Sequence, residues 1–212
     1  MNGDETTENL RRVWDARARA ATEDARRIDS TRRAQRMRFE IARRAMRLDG
    51  ASVLDVGCGV GDLLGWLTEA GIDCRYTGVD ISPEMVARAR SKYPGGQFDV
   101  ADVLSWPDEP RFDCTVAIGI HNLTVDGGRQ LLERLTRKQF ALSRVAAHLS
   151  LLTDRYQGFG PGIQPWRCEE VLAFALSLTP WVSVRHDYLP NDFSVTLYRR
   201  PFIETEPGLL LE

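Results

Sequence analysis

Three aspartates and a run of alternate glycines carry the most explicit chemistry in this chain. Residues 53–61 read Val-Leu-Asp-Val-Gly-Cys-Gly-Val-Gly, and Gly78-Val79-Asp80-Ile81-Ser82 follows. Val53, Leu54 and Val56 form the apolar run of a buried strand. It breaks into Gly57, Gly59 and Gly61, after which Leu63, Leu64, Trp66 and Leu67 recur at helical spacing. Glycine adopts positive φ and lets another molecule approach the backbone closely. A strand, a glycine turn and a helix N-terminus in succession therefore make a site for a nucleotide-like ligand. Asp80 closes a second apolar strand, where a carboxylate accepts hydrogen bonds from both hydroxyls of a ribose. The alternative is a tight strand-to-helix turn with no ligand, and the flanking Asp55 and Asp80 count against it.

The glycine spacing separates two ligand classes. A dinucleotide reader has G-x-G-x-x-G, whereas here the pattern is G-x-G-x-G with Asp55 inside the strand before it. This resembles motif I of the class I S-adenosylmethionine-dependent methyltransferases, and the resemblance covers about residues 50–200. It implies S-adenosyl-L-methionine as cofactor, with Gly57, Cys58, Gly59 and Gly61 under its methionine and ribose part. By the same resemblance Asp55 helps hold the amino acid end and Asp80 the ribose. Ile81 packs on an adenine face, Asp102 accepts from the exocyclic amine, and the Val103 amide meets the ring. Gly119 lies near the methyl donor. The helix before the first strand often supplies a basic residue for the cofactor carboxylate in this family; Arg38 is the candidate, with Arg36 and Arg43 competing.

The elements that must position these residues alternate along the chain. Residues 8–29 and 31–48 read as helices, the second with Met37, Ile41, Ala45 and Leu48 on one face. Strands are expected at 52–57, 74–79, 97–100, 112–118 and 147–152, with helices at 61–70, 82–93, 126–144 and 165–178. Ser82 is the N-cap of its helix and Pro83 its first residue. Two last strands at 181–188 and 193–200, joined by Pro190-Asn191-Asp192, form an antiparallel pair. The expected fold is α/β: a Rossmann-like doubly wound sheet of seven strands, mostly parallel, with a C-terminal antiparallel hairpin. Residues 1–50 are expected as an N-terminal helical cap of the same domain, 51–203 as the cofactor-binding core and 204–212 as a tail.

Ligands of such sheets sit at the carboxyl ends of the strands, and the acceptor side is less explicit. His121 is the only histidine at a strand end on this rim. It reads either as a general base for an attacking hydroxyl or amine or as a structural histidine at a turn. Asn122 either orients the acceptor or caps the next helix. The aromatic, glycine-rich loop at 155–166 offers Tyr156 and Phe159 as substrate walls, while Trp166 is expected to anchor the loop on the core. Trp14 is expected to cover the site from the first helix. The family that the chain resembles includes a metal-dependent branch with acidic residues and an Asn at the ends of the fourth and fifth strands; here the fourth strand ends without an aspartate and no Asp-Asn pair follows the fifth, so the resemblance implies no metal.

The formal net charge is −2 over 212 residues, although residues 1–50 hold thirteen arginines against nine acidic residues. That balance gives no reason to expect nucleic acid as partner. Four cysteines without a C-x-x-C pair suit reduced thiols in a cytoplasmic protein. No apolar run reaches the roughly eighteen residues of a membrane span, and the start has no signal-peptide core. The reading is therefore a methyltransferase acting on O or N of a small-molecule acceptor. Its rivals are a cyclase, decarboxylase or aminopropyl transferase on the same fold, or a regulatory protein that binds the cofactor without catalysis. Oligomeric state is open.

Overall fold

The structure is a computed structural model that describes residues 3–19 and 31–201. The expected first helix beyond residue 19, and the expected tail at 204–212, lie outside the described residues. Seven strands form one sheet: β1 (Ser52–Val56), β2 (Arg75–Asp80), β3 (Gln97–Val100), β4 (Phe112–Ile118), β5 (Ser143–Leu152), β6 (Val182–Arg185) and β7 (Asp192–Tyr198). Their order is β3-β2-β1-β4-β5-β7-β6. The first five pair in parallel, and β7 runs antiparallel to both β5 and β6. The expected hairpin is therefore present, with its second strand inserted against β5 and its first strand at the sheet edge.

The helices are α1 (Gly3–Ala18), α2 (Arg32–Ala45), α3 (Asp62–Glu69), α4 (Pro83–Lys92), α5 (Gly128–Leu142) and α6 (Cys168–Leu176). Thr31 caps α2 by accepting from the Ala34 amide, and Ser82 caps α4 by accepting from Met85 with Pro83 behind it. Several boundaries differ from the sequence pattern: α1 begins at Gly3 and not at 8, α6 at Cys168 and not at 165, β6 ends at Arg185 and not at 188, and β5 starts early. Residues 143–146, expected in a helix and the turn after it, already belong to β5. Ser143 is extended (φ −93°, ψ 141°) and pairs with Phe112, so pairing with β4 overrides the local helical spacing.

Alternation along β1 divides the core between the two faces of the sheet. Val53, Cys114 and Val116 join Phe39 of α2, Trp66 of α3 and Val86 of α4. Leu54, Val56 and Val79 join Val103 and Leu142 of α5. A third cluster packs Leu149, Phe193 and Val195 against Val171 of α6 and Trp166. Leu54, which has no exposed surface, contributes about 1.5–3 kcal/mol by leaving water. These clusters hold the carboxyl ends of β1, β2 and β4 side by side, at one rim. Among the described residues no helix is long and apolar enough to cross a membrane.

Candidate functional site

A cavity of about 200 Å³ opens at this rim. The turn after β1 forms its floor. Gly57 and Gly59 both have positive φ, +74° and +55°, which L side chains adopt at a cost. A Cβ on Gly57 would stand 2.1 Å from Ile120 Cγ2, so the next loop passes directly over it; a Cβ on Gly59 would meet nothing within 4 Å. The space above Gly59 is thus room for another molecule. Gly61, at φ +79°, caps α3 without a side chain, and a Cβ there would meet the Phe98 ring at 2.8 Å. It packs on the protein and does not line the cavity, which corrects the expectation of a direct ligand contact.

The amides of this turn are already engaged. Gly57 and Cys58 both donate to Val79 O, at 2.8 and 3.0 Å, and Gly61 donates to Cys58 O at 3.0 Å. Gly59 N donates to Asp80 Oδ2 at 2.9 Å. A phosphate cradle needs such amides aimed at its ligand. Here they are turned inward, which disfavours a pyrophosphate on the same ground as the glycine spacing did.

Asp80 is 8% exposed and anchored at both oxygens, Oδ2 by Gly59 N and Oδ1 by Ser82 N at 2.9 Å. Each carboxylate oxygen accepts two hydrogen bonds, so capacity remains for a pair of hydroxyls. Burial raises its pKa, opposed by the amides of Ser82 and Gly59. Asp55 lines the cavity behind it and receives the Tyr76 hydroxyl at 2.7 Å. Burial pushes the Asp55 pKa up to about 7; the Tyr76 bond opposes this, and Asp80 and Asp62 add to it. Burial likewise raises the Cys58 thiol, so it stays protonated. Asp102 lines the far end, accepts from Leu104 N at 2.9 Å and caps a short 3₁₀ turn at Val103–Ser105. Ile81, Val103 and Gly119 also line the cavity.

Helices α1 and α2 close the near side. Leu10 and Trp14 of α1 line the cavity. Ser82 Oγ donates to Asp15, and Arg19 pairs with Glu84 at 3.2 Å, which moors α1 to the start of α4. Arg38 lines the cavity too, but its fork is occupied. Nε and Nη2 donate to Asp192 Oδ1 and Oδ2, each at 2.6 Å, and the two side chains are only 4% and 1% exposed. The expected partner for a cofactor carboxylate is thus already bidentate on a protein carboxylate.

The acceptor side departs most from the sequence reading. His121 does not line the cavity. Its ring stands edge-on to Trp166 at 6.5 Å, Nε2 is buried without a partner, and burial pushes its pKa down to about 3. A base that weak, facing away, does not fit the expected proton transfer. Tyr156 and Phe159 meet edge to face at 4.9 Å between ring centres and lie off the cavity wall. Trp166 Nε1 donates to His121 O at 2.9 Å and Gln164 N to Asn122 O at 2.9 Å, so Trp166 is an anchor as expected. Asn122 does line the cavity; it is 2% exposed and its Oδ1 has no partner. Tyr76, Phe39 and Ser82 are site residues that the sequence reading did not assign to the site. Only Ser82, as a helix cap beside Asp80, had a readable signal.

Residues 53–138 match the family model described as a methyltransferase domain. The chain is 42% identical over 65 residues to trans-aconitate 2-methyltransferase of Escherichia coli, a match covering 31% of this chain and 26% of that one. It thus spans about a quarter of the length of the curated relatives it matches. The fold is shared with magnesium protoporphyrin IX methyltransferase from Synechocystis PCC 6803 with bound SAM (TM-score 0.65, 15% identity, covering 94% of this chain and 100% of that chain). It is also shared with a DhpI–SAM–HEP complex (TM-score 0.66, 19% identity, covering 92% and 99%).

Proposed function

We propose, from the premise that residues 53–138 form a methyltransferase domain on a class I, Rossmann-like fold, that this chain transfers a methyl group from S-adenosylmethionine to O or N of a small molecule. The observation that carries the reading is the Asp80 carboxylate, fixed between Gly59 N and Ser82 N above the open floor at Gly59. The residues present fit the cofactor: hydroxyl-binding capacity at Asp80, room at Gly59, and no amide cradle that calls for phosphate. When bound, S-adenosylmethionine supplies an activated methyl group on a sulfonium.

Each residue has a defined task in this reading. Asp80 receives the ribose hydroxyls. Asp102 and the Val103 amide meet the adenine edge, with Ile81 against its face. Asp55 lies toward the amino acid end, where a bound cationic donor favours the ionised carboxylate over the protonated form that burial favours in its absence. Leu10 and Trp14 cover the site and exclude water, so that an acceptor is held close to the methyl group. Asn122 orients that acceptor. A neutral amine needs no base to attack, which agrees with an imidazole at His121 that is buried and turned away. Helices α1 and α2 act as a cap belonging to the same domain.

The test is binding and product formation. Calorimetry should detect S-adenosylhomocysteine binding, and Asp80→Ala should weaken it by about tenfold to a hundredfold, the usual worth of hydrogen bonds to a charged group. Unchanged affinity in Asp80→Ala would remove the basis of the reading. Mass spectrometry should then find S-adenosylhomocysteine formed from S-adenosylmethionine only when an acceptor is present.

A further inference from the structure

We propose that the acceptor is a neutral or cationic molecule, presenting a hydroxyl or amine on a largely apolar skeleton, and not a polycarboxylate. The inference rests on the methyltransferase reading above and concerns the charge balance of the cavity wall. Four carboxylates line it, Asp55, Asp62, Asp80 and Asp102, against one cationic side chain among the described residues, Arg38. Two of the four are largely neutralised. Asp62 is held by Lys92 at 2.6 Å and by Gln35 at 3.1 Å, and burial keeps Asp55 protonated up to about pH 7. Asp80 and Asp102 face the cofactor in the reading above, and Arg38 is bidentate on the buried Asp192, so the described wall offers no open cation to an anionic acceptor.

An acceptor with several carboxylates would face two routes, both unfavourable. It could lose its water against Leu10, Trp14 and Phe39 with no counter-charge among the described residues, which is costly. Alternatively it could draw Arg38 away and leave Asp192 buried and unpaired, also costly. A hydroxyl or amine meets neither obstacle. Asn122 offers it a side-chain amide with donor and acceptor capacity, and Oδ1 has no protein partner. The amide is positioned before any ligand arrives. The backbone carbonyl of Asn122 accepts from Gln164 N at 2.9 Å, and the adjoining Leu123 bridges to Ile163. Leu10, Trp14 and Phe39 supply the apolar wall. Similarity to a trans-aconitate methyltransferase over 31% of this chain therefore does not carry that acceptor across.

The experiment uses the full chain and begins with S-adenosylhomocysteine binding by calorimetry; its absence overturns the methyltransferase reading, and the inference with it. The loaded protein is then titrated with one skeleton bearing three groups, 3-phenylpropylamine, 3-phenylpropan-1-ol and 3-phenylpropanoate, and with trans-aconitate. The amine and alcohol should bind at least about tenfold more tightly than either carboxylate, since an uncompensated buried charge is heavily penalised. Asn122→Ala should weaken the alcohol by about tenfold, one hydrogen bond's worth in a buried site, with S-adenosylhomocysteine affinity unchanged. A carboxylate that binds as well as the amine overturns the inference while leaving the methyltransferase reading intact, and so does a loaded protein that takes up neither amine nor alcohol. The ligand series on the unmodified chain decides the matter even if the Asn122 variant fails to fold.

Discussion

Replacing Asp55 by asparagine should make the ligand-free protein more stable at alkaline pH and weaker at binding its cofactor. Asparagine keeps the shape of the side chain and an oxygen for the Tyr76 hydroxyl, which sits 2.7 Å from Oδ2, but it carries no charge. Burial raises the Asp55 pKa from 3.8 to about 7. The unfolded chain therefore gives up this proton near pH 4, while the folded chain retains it to about pH 7. Between these values the native state binds more protons, so stability falls as pH rises. Over that window the loss is of the order of 4 kcal/mol, at about 1.36 kcal/mol per pH unit. Urea unfolding followed by circular dichroism at pH 4, 6 and 8 measures it. The two proteins should be closely matched at pH 4, and Asp55→Asn should lead by a few kcal/mol at pH 8. The buried histidines cancel in this comparison because both proteins carry them. Equal pH dependence, or a variant less stable at pH 8, would refute the argument. Weaker binding of S-adenosylhomocysteine by the stabilised variant would identify Asp55 as a charge kept for function at the expense of stability.

Two further outcomes follow from the same kind of reasoning. His121→Gln should leave S-adenosylhomocysteine affinity unchanged and reduce acid sensitivity. The folded pKa of His121 is pushed down to about 3, so its contribution is complete above pH 6.5 and is lost as pH falls, by about 2 kcal/mol at pH 5. Urea unfolding at pH 7 and pH 5 reads this, and an undiminished acid loss in the variant would count against a buried neutral imidazole. Arg38→Met should destabilise the protein by about 3–5 kcal/mol by leaving the buried Asp192 without its ion-pair partner. The double change Arg38→Met with Asp192→Leu should recover most of that; a single variant of near-normal stability would show that the pair is dispensable.

Much of the cavity rim was legible because its residues are close in sequence and their local structure is set by near neighbours. A strand, a glycine turn and a helix occupy residues 52–69 without interruption, and Asp80 and Asp102 lie at or just beyond the ends of β2 and β3. Hydrophobic periodicity located those strands, and strand order in a parallel sheet then brought their ends to one rim. Ser82 and Pro83 announced α4 for the same reason, since capping is decided within four residues. The start of β5 was misread because its extended form is imposed by pairing with β4, and nothing within residues 143–146 opposes a helix strongly.

By itself, the sequence determined a doubly wound sheet with an elongated cofactor-type site after β1, β2 and β3. What only the tertiary structure decided is which charges are available there. Arg38 looked free until Asp192, 154 positions away, was found on it. Asp55 looked like an ordinary carboxylate until Tyr76, 21 positions away, and the surrounding core covered it. His121 had the right type at the right strand end, yet packing against Trp166 turned it from the cavity. Periodicity and turn chemistry act between near neighbours and leave a pattern in the chain. Desolvation and ion pairing act between groups that meet only after folding, and in this protein they set the protonation and orientation on which the acceptor side depends.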